Sequence, residues 1–202
     1  MKKFLLCLPL LALLAAGFTG CSQQRQWNHD QRKAMREALR SYRQMVYLDD
    51  LTDAEFGLFS DQVAGTLENE YPVYVEFIQM EGVDDTVDMV VVTQIVDELN
   101  ADARNMRHIF PYNVLVAQGV LPEGLDHDQL KAFYNCFASK VNAAYSTMDQ
   151  FFNAILADTT DLSQISQMES QCANDLFNWE VTEIDITETV TPAPQNTTAS
   201  NQ

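Results

Sequence analysis

Between residues 30 and 47 the apolar positions Met35, Ala38, Leu39, Tyr42, Met45 and Val46 fall on one helical stripe, with the arginines outside it, which predicts an amphipathic helix. Thr52 and Glu55 then form a capping-box pattern, and Phe56, Phe59, Val63 and Leu67 recur at helical spacing until Pro72 interrupts. Residues 126 to 145 repeat the amphipathic habit with Leu130, Phe133, Phe137 and Val141. Thr147 with Gln150 opens a short helix through Leu156, and a last helix runs from Asp161, through Ile165, Met168 and Cys172, to about Phe177.

The middle of the chain carries two competing patterns. Tyr74 to Met80 and Val87 to Thr93 are rich in β-branched and aromatic residues around Glu81-Gly82-Val83-Asp84-Asp85, which suits a hairpin. Against this, Val91, Ile95, Leu99, Ala103 and Met106 hold a helical stripe, and the longer-range pattern predicts one helix from about Thr86 to His108. Pro111 stops that helix and opens a short one through Ala117. The expected fold is therefore all-α, a single domain of about six or seven helices.

Residues 29 to 47 and 127 to 145 align without a gap, with identities at seven of nineteen positions: His29/His127, Asp30/Asp128, Gln31/Gln129, Lys33/Lys131, Ala34/Ala132, Ser41/Ser139 and Tyr47/Tyr145. Each stretch precedes a helix opened by Thr-Asp, at Thr52-Asp53 and Thr160-Asp161. This predicts two related helical hairpins around the long central helix. Helix starts alone supply a competing reason, since Asn28 with Gln31 and Asp126 with Gln129 are both capping-box patterns.

Ahead of the first helix, Lys2 and Lys3 are followed by an apolar run from Phe4 to Phe18 and then by small residues, the layout of an export signal. The run is short of the roughly 20 residues that a membrane-crossing helix needs. Phe18-Thr19-Gly20-Cys21 resembles the lipobox of bacterial lipoproteins, although leucine is usual where Phe18 stands. The resemblance implies cleavage before Cys21, lipid on that cysteine, and attachment to a face of a membrane in the cell envelope; it covers the signal alone. The expected division is a signal over 1–20, the lipidated cysteine and a tether over 21–28, the helical domain over 29–179, and a disordered tail over 180–202. That tail is rich in Thr and Asn, carries Pro192 and Pro194, and has little apolar surface to bury.

The chain is strongly acidic, with 12 Lys+Arg against 29 Asp+Glu and a formal charge of −17, which disfavours nucleic acid as a partner because phosphate needs a basic footprint. The cations are unevenly placed: Arg25, Arg32, Lys33, Arg36, Arg40 and Arg43 lie close together, and only Arg104, Arg107, Lys131 and Lys140 follow. Arg32, Arg36, Arg40 and Arg43 either form ion pairs with the acidic body or face anionic headgroups beside the lipid, and the acid excess favours the former. Of the cysteines, Cys7 leaves with the signal and Cys21 is the anchor. Cys136 and Cys172 are then candidates for a disulfide, with two buried thiols or a redox pair as the alternatives.

Candidates for chemistry are sparse. His29 and His127 stand at helix starts and His108 at a helix end, with no H-E-x-x-H and no zinc spacing. Asp49, Asp50 and Asp53, and likewise Asp84, Asp85 and Asp88, offer oxygen ligands to a hard cation, but acids at helix starts are already favoured by exposed amides. No G-x-S-x-G, G-x-G-x-x-G or Walker pattern occurs. Tyr71, Tyr74, Phe77, Phe110 and Tyr112 read as core before they read as a pocket. The expectation is a membrane-anchored, non-enzymatic binding or assembly module without a cofactor, with an unknown envelope protein as partner. An envelope enzyme or small-ligand receptor is the alternative.

Overall fold

A computed structural model describes residues 26–180. The expected signal, the expected lipidation site Cys21, Arg25 and the expected tail beyond residue 180 lie outside the described residues. Among those described, no strand occurs and the domain is all-α. In chain order the helices are α1 (His29–Ala38), α2 (Asp53–Glu70), α3 (Tyr74–Phe77), α4 (Val83–Ala101), α5 (Tyr112–Ala117), α6 (His127–Tyr145), α7 (Met148–Leu156) and α8 (Leu162–Phe177). Two 3-10 turns, Leu39–Gln44 and Ala103–His108, interrupt them.

Helix starts follow the caps written in the sequence. Asn28, Thr52 and Asp126 each accept from the N3 amide while the N3 side chain returns to the cap's own N–H. Two otherwise orphaned amides are thereby satisfied at each start, a local gain of about 1 kcal/mol per cap. Thr147 and Asp161 cap α7 and α8 with single side chains.

Helix α4 packs on α2, on α7 and on the Ala103–His108 turn, so it joins an N-terminal group, α1 on α2, to a C-terminal group in which α6 packs on α7 and α8. The interior is continuous: Phe59, Val63 and Leu67 of α2, Val91, Ile95 and Leu99 of α4, and Phe133, Phe137 and Val141 of α6 are buried together. The expected aromatic group divides in two. Trp27 stacks on Phe77 and meets the edge of Tyr74, whereas Phe110 packs against Phe137 and Phe151. Trp27, only 2% exposed, donates its indole N–H to the Tyr71 carbonyl. The packed body thus reaches into residues 21–28, expected to be tether.

Residues 73 to 93 are helical rather than a hairpin, but the central helix differs from expectation at both ends. It begins at Val83, because Gly82 adopts the left-handed conformation (φ 74°) that turns the chain into it. It stops at Ala101, where Asp102 turns extended and its side chain accepts the amide of Arg104, starting the Ala103–His108 turn. A short polar side chain has competed with the helix ladder for that amide.

The two aligned stretches share their capped starts and then diverge. Residues 127 to 145 form one helix, but residues 29 to 47 leave the α-conformation at Leu39. Tyr145 ends a helix, whereas Tyr47 sits outside one at φ 81°, is 1% exposed, and donates its hydroxyl to Glu98 of α4. The Thr-Asp openings also differ: Thr52 caps α2, whereas Asp161, the second residue of its pair, caps α8. In structure the two stretches share the capped start and the helix as far as Ala38, and differ beyond it.

Candidate functional site

Two clefts flank the Ala103–His108 turn. The first, about 270 Å³, lies between the turn and α6. A 3-10 turn eclipses residues three apart, which aligns Arg104 with Arg107. On α6, His127, Lys131 and Tyr134 follow at helical spacing and line the same cleft, along with Leu130. Three of the four cations after residue 45, the exception being Lys140, meet there.

Arg104 is held from behind. Its Nε donates to Asp102 at 2.8 Å, its Nη2 donates to the same carboxylate, and hydrogen bonding from Arg104 lowers the Asp102 pKa to about 2. Its Nη1 lies 3.1 Å from Nε2 of His127. A guanidinium has donors alone, so in this contact Nε2 accepts and the ring proton sits on Nδ1. Arg107 reaches Glu55 at 3.2 Å. Lys131 has no carboxylate at ion-pairing distance among the described residues, although its charge helps to lower the Asp102 pKa. Tyr112 and Tyr134 also line the cleft, but their hydroxyls are engaged elsewhere: Tyr112 with Pro122 and Leu125, Tyr134 with the Phe110 carbonyl. Tyr134 is 2% exposed, so the ring surface offered to the cleft is that of half-buried Tyr112.

The second cleft, about 190 Å³, lies on the other side of the turn and is lined by Tyr47, Glu55, Glu98, Arg107 and His108. His108 is 6% exposed, with its Nδ1 2.8 Å from Asp50 and its ring edge-on to Tyr47. Burial, and then the bond to Glu98, raises the Tyr47 pKa well above the usual phenol range, so its hydroxyl stays a donor. A bulky residue at positive φ is strained and persists only where its surroundings determine it. Here the bond to Glu98 and the packing on His108 do so.

The first-helix arginines are each committed to acid. Arg32 pairs with Glu68 through two bonds of 2.7 Å, Arg36 with Asp61 and Arg40 with Glu37. Arg43 pairs with Asp53 and lies 4.9 Å over the Phe56 ring. Arg36, Arg40 and Arg43, with Lys33, line a groove of about 650 Å³ between α1 and α2. Glu68 is lowered in pKa chiefly by its Arg32 hydrogen bonds.

The cation-ligand candidates do not converge. Asp84 and Asp85 sit in the first turn of α4, Asp88 accepts the Tyr42 hydroxyl, and no group of three or more ligating side chains suited to a metal ion occurs among the described residues. Cys136 and Cys172 form a disulfide from α6 to α8, with Cα atoms 5.9 Å apart. One turn before Cys172, Glu169 is 4% exposed with Oε1 unpartnered, and burial pushes its pKa up to about 7. His29 is exposed, with Asp30 nearby.

The histidines were visible in the sequence, but their partners were not: Asp50 lies 58 residues from His108, and Arg104 lies 23 from His127. The signals that could have found the first cleft are the i, i+3 arginines and the i, i+4, i+7 spacing of His127, Lys131 and Tyr134, which the sequence reading did not single out. No helix among the described residues is long and apolar enough to cross a membrane. Neither the family models, nor the curated proteins, nor the solved structures contain a match to this chain.

Proposed function

We propose that this protein is a lipid-anchored envelope lipoprotein whose helical body is a non-enzymatic binding module. The anchor reading rests on Lys2, Lys3, the apolar run to Phe18 and the lipobox-like Phe18-Thr19-Gly20-Cys21. The binding reading rests on one observation: an acidic chain gathers three of its few cations around one cleft beside the Tyr112 ring, with Arg104 and Arg107 paired to acids outside the lining and Lys131 without an acid at ion-pairing distance among the described residues. Recesses that combine ring surface with a few convergent polar groups are the usual form of ligand sites. Neither cleft is lined by a serine, threonine or cysteine that His108 or His127 would activate, which favours binding over nucleophilic catalysis.

Metabolic labelling with a radioactive fatty acid tests the anchor. Wild type takes up label and Cys21→Ala does not; equal labelling of the two sinks the anchor. Chemical cross-linking in the native envelope tests the module, and recovery of neither a specific protein nor a small ligand counts against it.

A further inference from the structure

We propose that the cleft between the Ala103–His108 turn and α6 binds a small organic oxyanion, a carboxylate or a phosphate carried on an apolar or aromatic body. The inference rests on the binding reading and names the ligand's chemistry.

The argument starts from charge. With 29 acidic and 12 basic side chains, carboxylates are available throughout this protein to neutralise a cation. In the α1–α2 groove Arg36, Arg40 and Arg43 are each paired with an acid, and Glu37 and Asp53 stand in the lining beside them and Lys33. In the α6 cleft Arg104 and Arg107 are paired as well, with Asp102 and Glu55, but neither acid belongs to the lining, which sets Arg104, Arg107 and Lys131 against a single carboxylate, Asp50, engaged by His108. Lys131 has no acid at ion-pairing distance among the described residues.

Geometry then selects an oxyanion over a hydrated chloride. The two bonds from Asp102 fix the Arg104 plane and leave Nη1 directed at His127. Arg107, three residues on, brings a second planar fork, and Lys131 brings a mobile ammonium from the opposite wall. The Nε–Nη2 edge of Arg104 is taken by Asp102, so a carboxylate or phosphate oxygen meets its Nη1 together with the Arg107 guanidinium and the Lys131 ammonium. An incoming oxygen takes the Nη1 donor that His127 Nε2 now accepts, so the anion replaces one acceptor with a charged one.

The walls select the rest of the ligand. Tyr112, half-buried with its hydroxyl tied to Pro122, and half-buried Leu130 present ring and apolar surface held in place before binding, while Tyr134, 2% exposed, backs the cleft. At about 270 Å³ the cleft is slightly below the range of drug-sized sites, which limits the ligand to a small molecule.

The test uses the full mature chain in detergent, titrated with benzoate, phenyl phosphate and benzylamine, and followed by calorimetry and amide NMR. At least one of the two anions saturates, with shifts centred on residues 104–113 and 127–134, and the stronger of the two identifies the head group. Benzylamine, with the same ring and the opposite charge, does not. Lys131→Gln and Arg107→Gln each weaken the anion by about tenfold or more, the loss expected when a charged hydrogen-bond donor is removed. Lys140→Gln, which removes the remaining late cation, leaves binding unchanged. Lys131 is exposed, so retention of the amide spectrum in Lys131→Gln separates lost binding from lost fold.

Equal shifts from benzylamine, unaltered affinity in Lys131→Gln, or no saturation by either anion overturns the proposal. If neither anion binds while envelope cross-linking still recovers a partner, the oxyanion inference fails and the binding reading stands. If both experiments are empty, both fall.

Discussion

Reducing the Cys136–Cys172 disulfide should lower stability without dismantling the fold. The bond closes a chain separation of 36 residues between α6 and α8. On the chain-entropy relation a loop of that length restricts the unfolded chain by about 4 kcal/mol at 25 °C. The native helices do not depend on the bond for their placement, since Phe133, Phe137 and Val141 of α6 and Ile165, Met168 and Ala173 of α8 belong to the same buried core. Phe151 and Phe152 of α7, inside the closed loop, are fully buried as well. Each kcal/mol moves the midpoint of a domain this size by roughly 2–4 °C, so reduction should lower it by roughly 8–16 °C. Scanning calorimetry with and without a phosphine reductant measures this. Alkylation after unfolding, mapped by peptide, labels Cys136 and Cys172 when the bond has been reduced and neither when it has not. Midpoints within about 2 °C of one another refute the entropic argument. Alkylation of Cys136 and Cys172 in protein never exposed to reductant refutes the bond itself. Reduction is a cleaner perturbation than Cys172→Ala, because that side chain is fully buried and its truncation adds a packing loss.

Two further outcomes follow from particular side chains. Trp27→Ala removes a buried indole that stacks on Phe77 and bonds the Tyr71 carbonyl; it should cost about 3–5 kcal/mol in urea unfolding, and a cost under about 1 kcal/mol would show that the body begins later in the chain. Glu169 has its folded pKa raised from 4.5 to about 7 by burial, so between those values the folded chain keeps a proton that the unfolded chain releases. Its contribution is therefore most favourable below the unfolded pKa and declines as pH rises toward 7, by up to roughly 3 kcal/mol. Glu169→Gln should remove that decline and raise the urea midpoint at pH 8 more than at pH 5; parallel pH profiles for the variant and wild type would exclude a protonated Glu169.

Much of the architecture was legible because its causes are short-range. A capping side chain acts on an amide two or three residues away, and an apolar stripe is set by spacings of three and four. Helices α2, α6, α7 and α8 accordingly begin and end close to where the sequence puts them. Where two local signals conflicted, the stripe through Val91, Ile95, Leu99, Ala103 and Met106 hid the capping capacity of Asp102, so the break before the Ala103–His108 turn was missed. Residues 29–47 and 127–145 share a capped helix start, but the identity of Tyr47 and Tyr145 did not carry a common environment, because the tertiary packing at each differs.

By itself, then, the sequence determined an all-α body, its acidic balance, the cysteines able to pair, and a signal-like segment whose anchor reading is a proposal. Only the tertiary structure decided which charges meet. The Arg32–Glu68 and His108–Asp50 pairs join residues 36 and 58 positions apart. The oxyanion cleft likewise needs a turn and a distant helix brought side by side. Such juxtapositions arise from burying Phe133, Phe137 and Leu99 in one core, a cooperative outcome of the whole chain that no local spacing encodes.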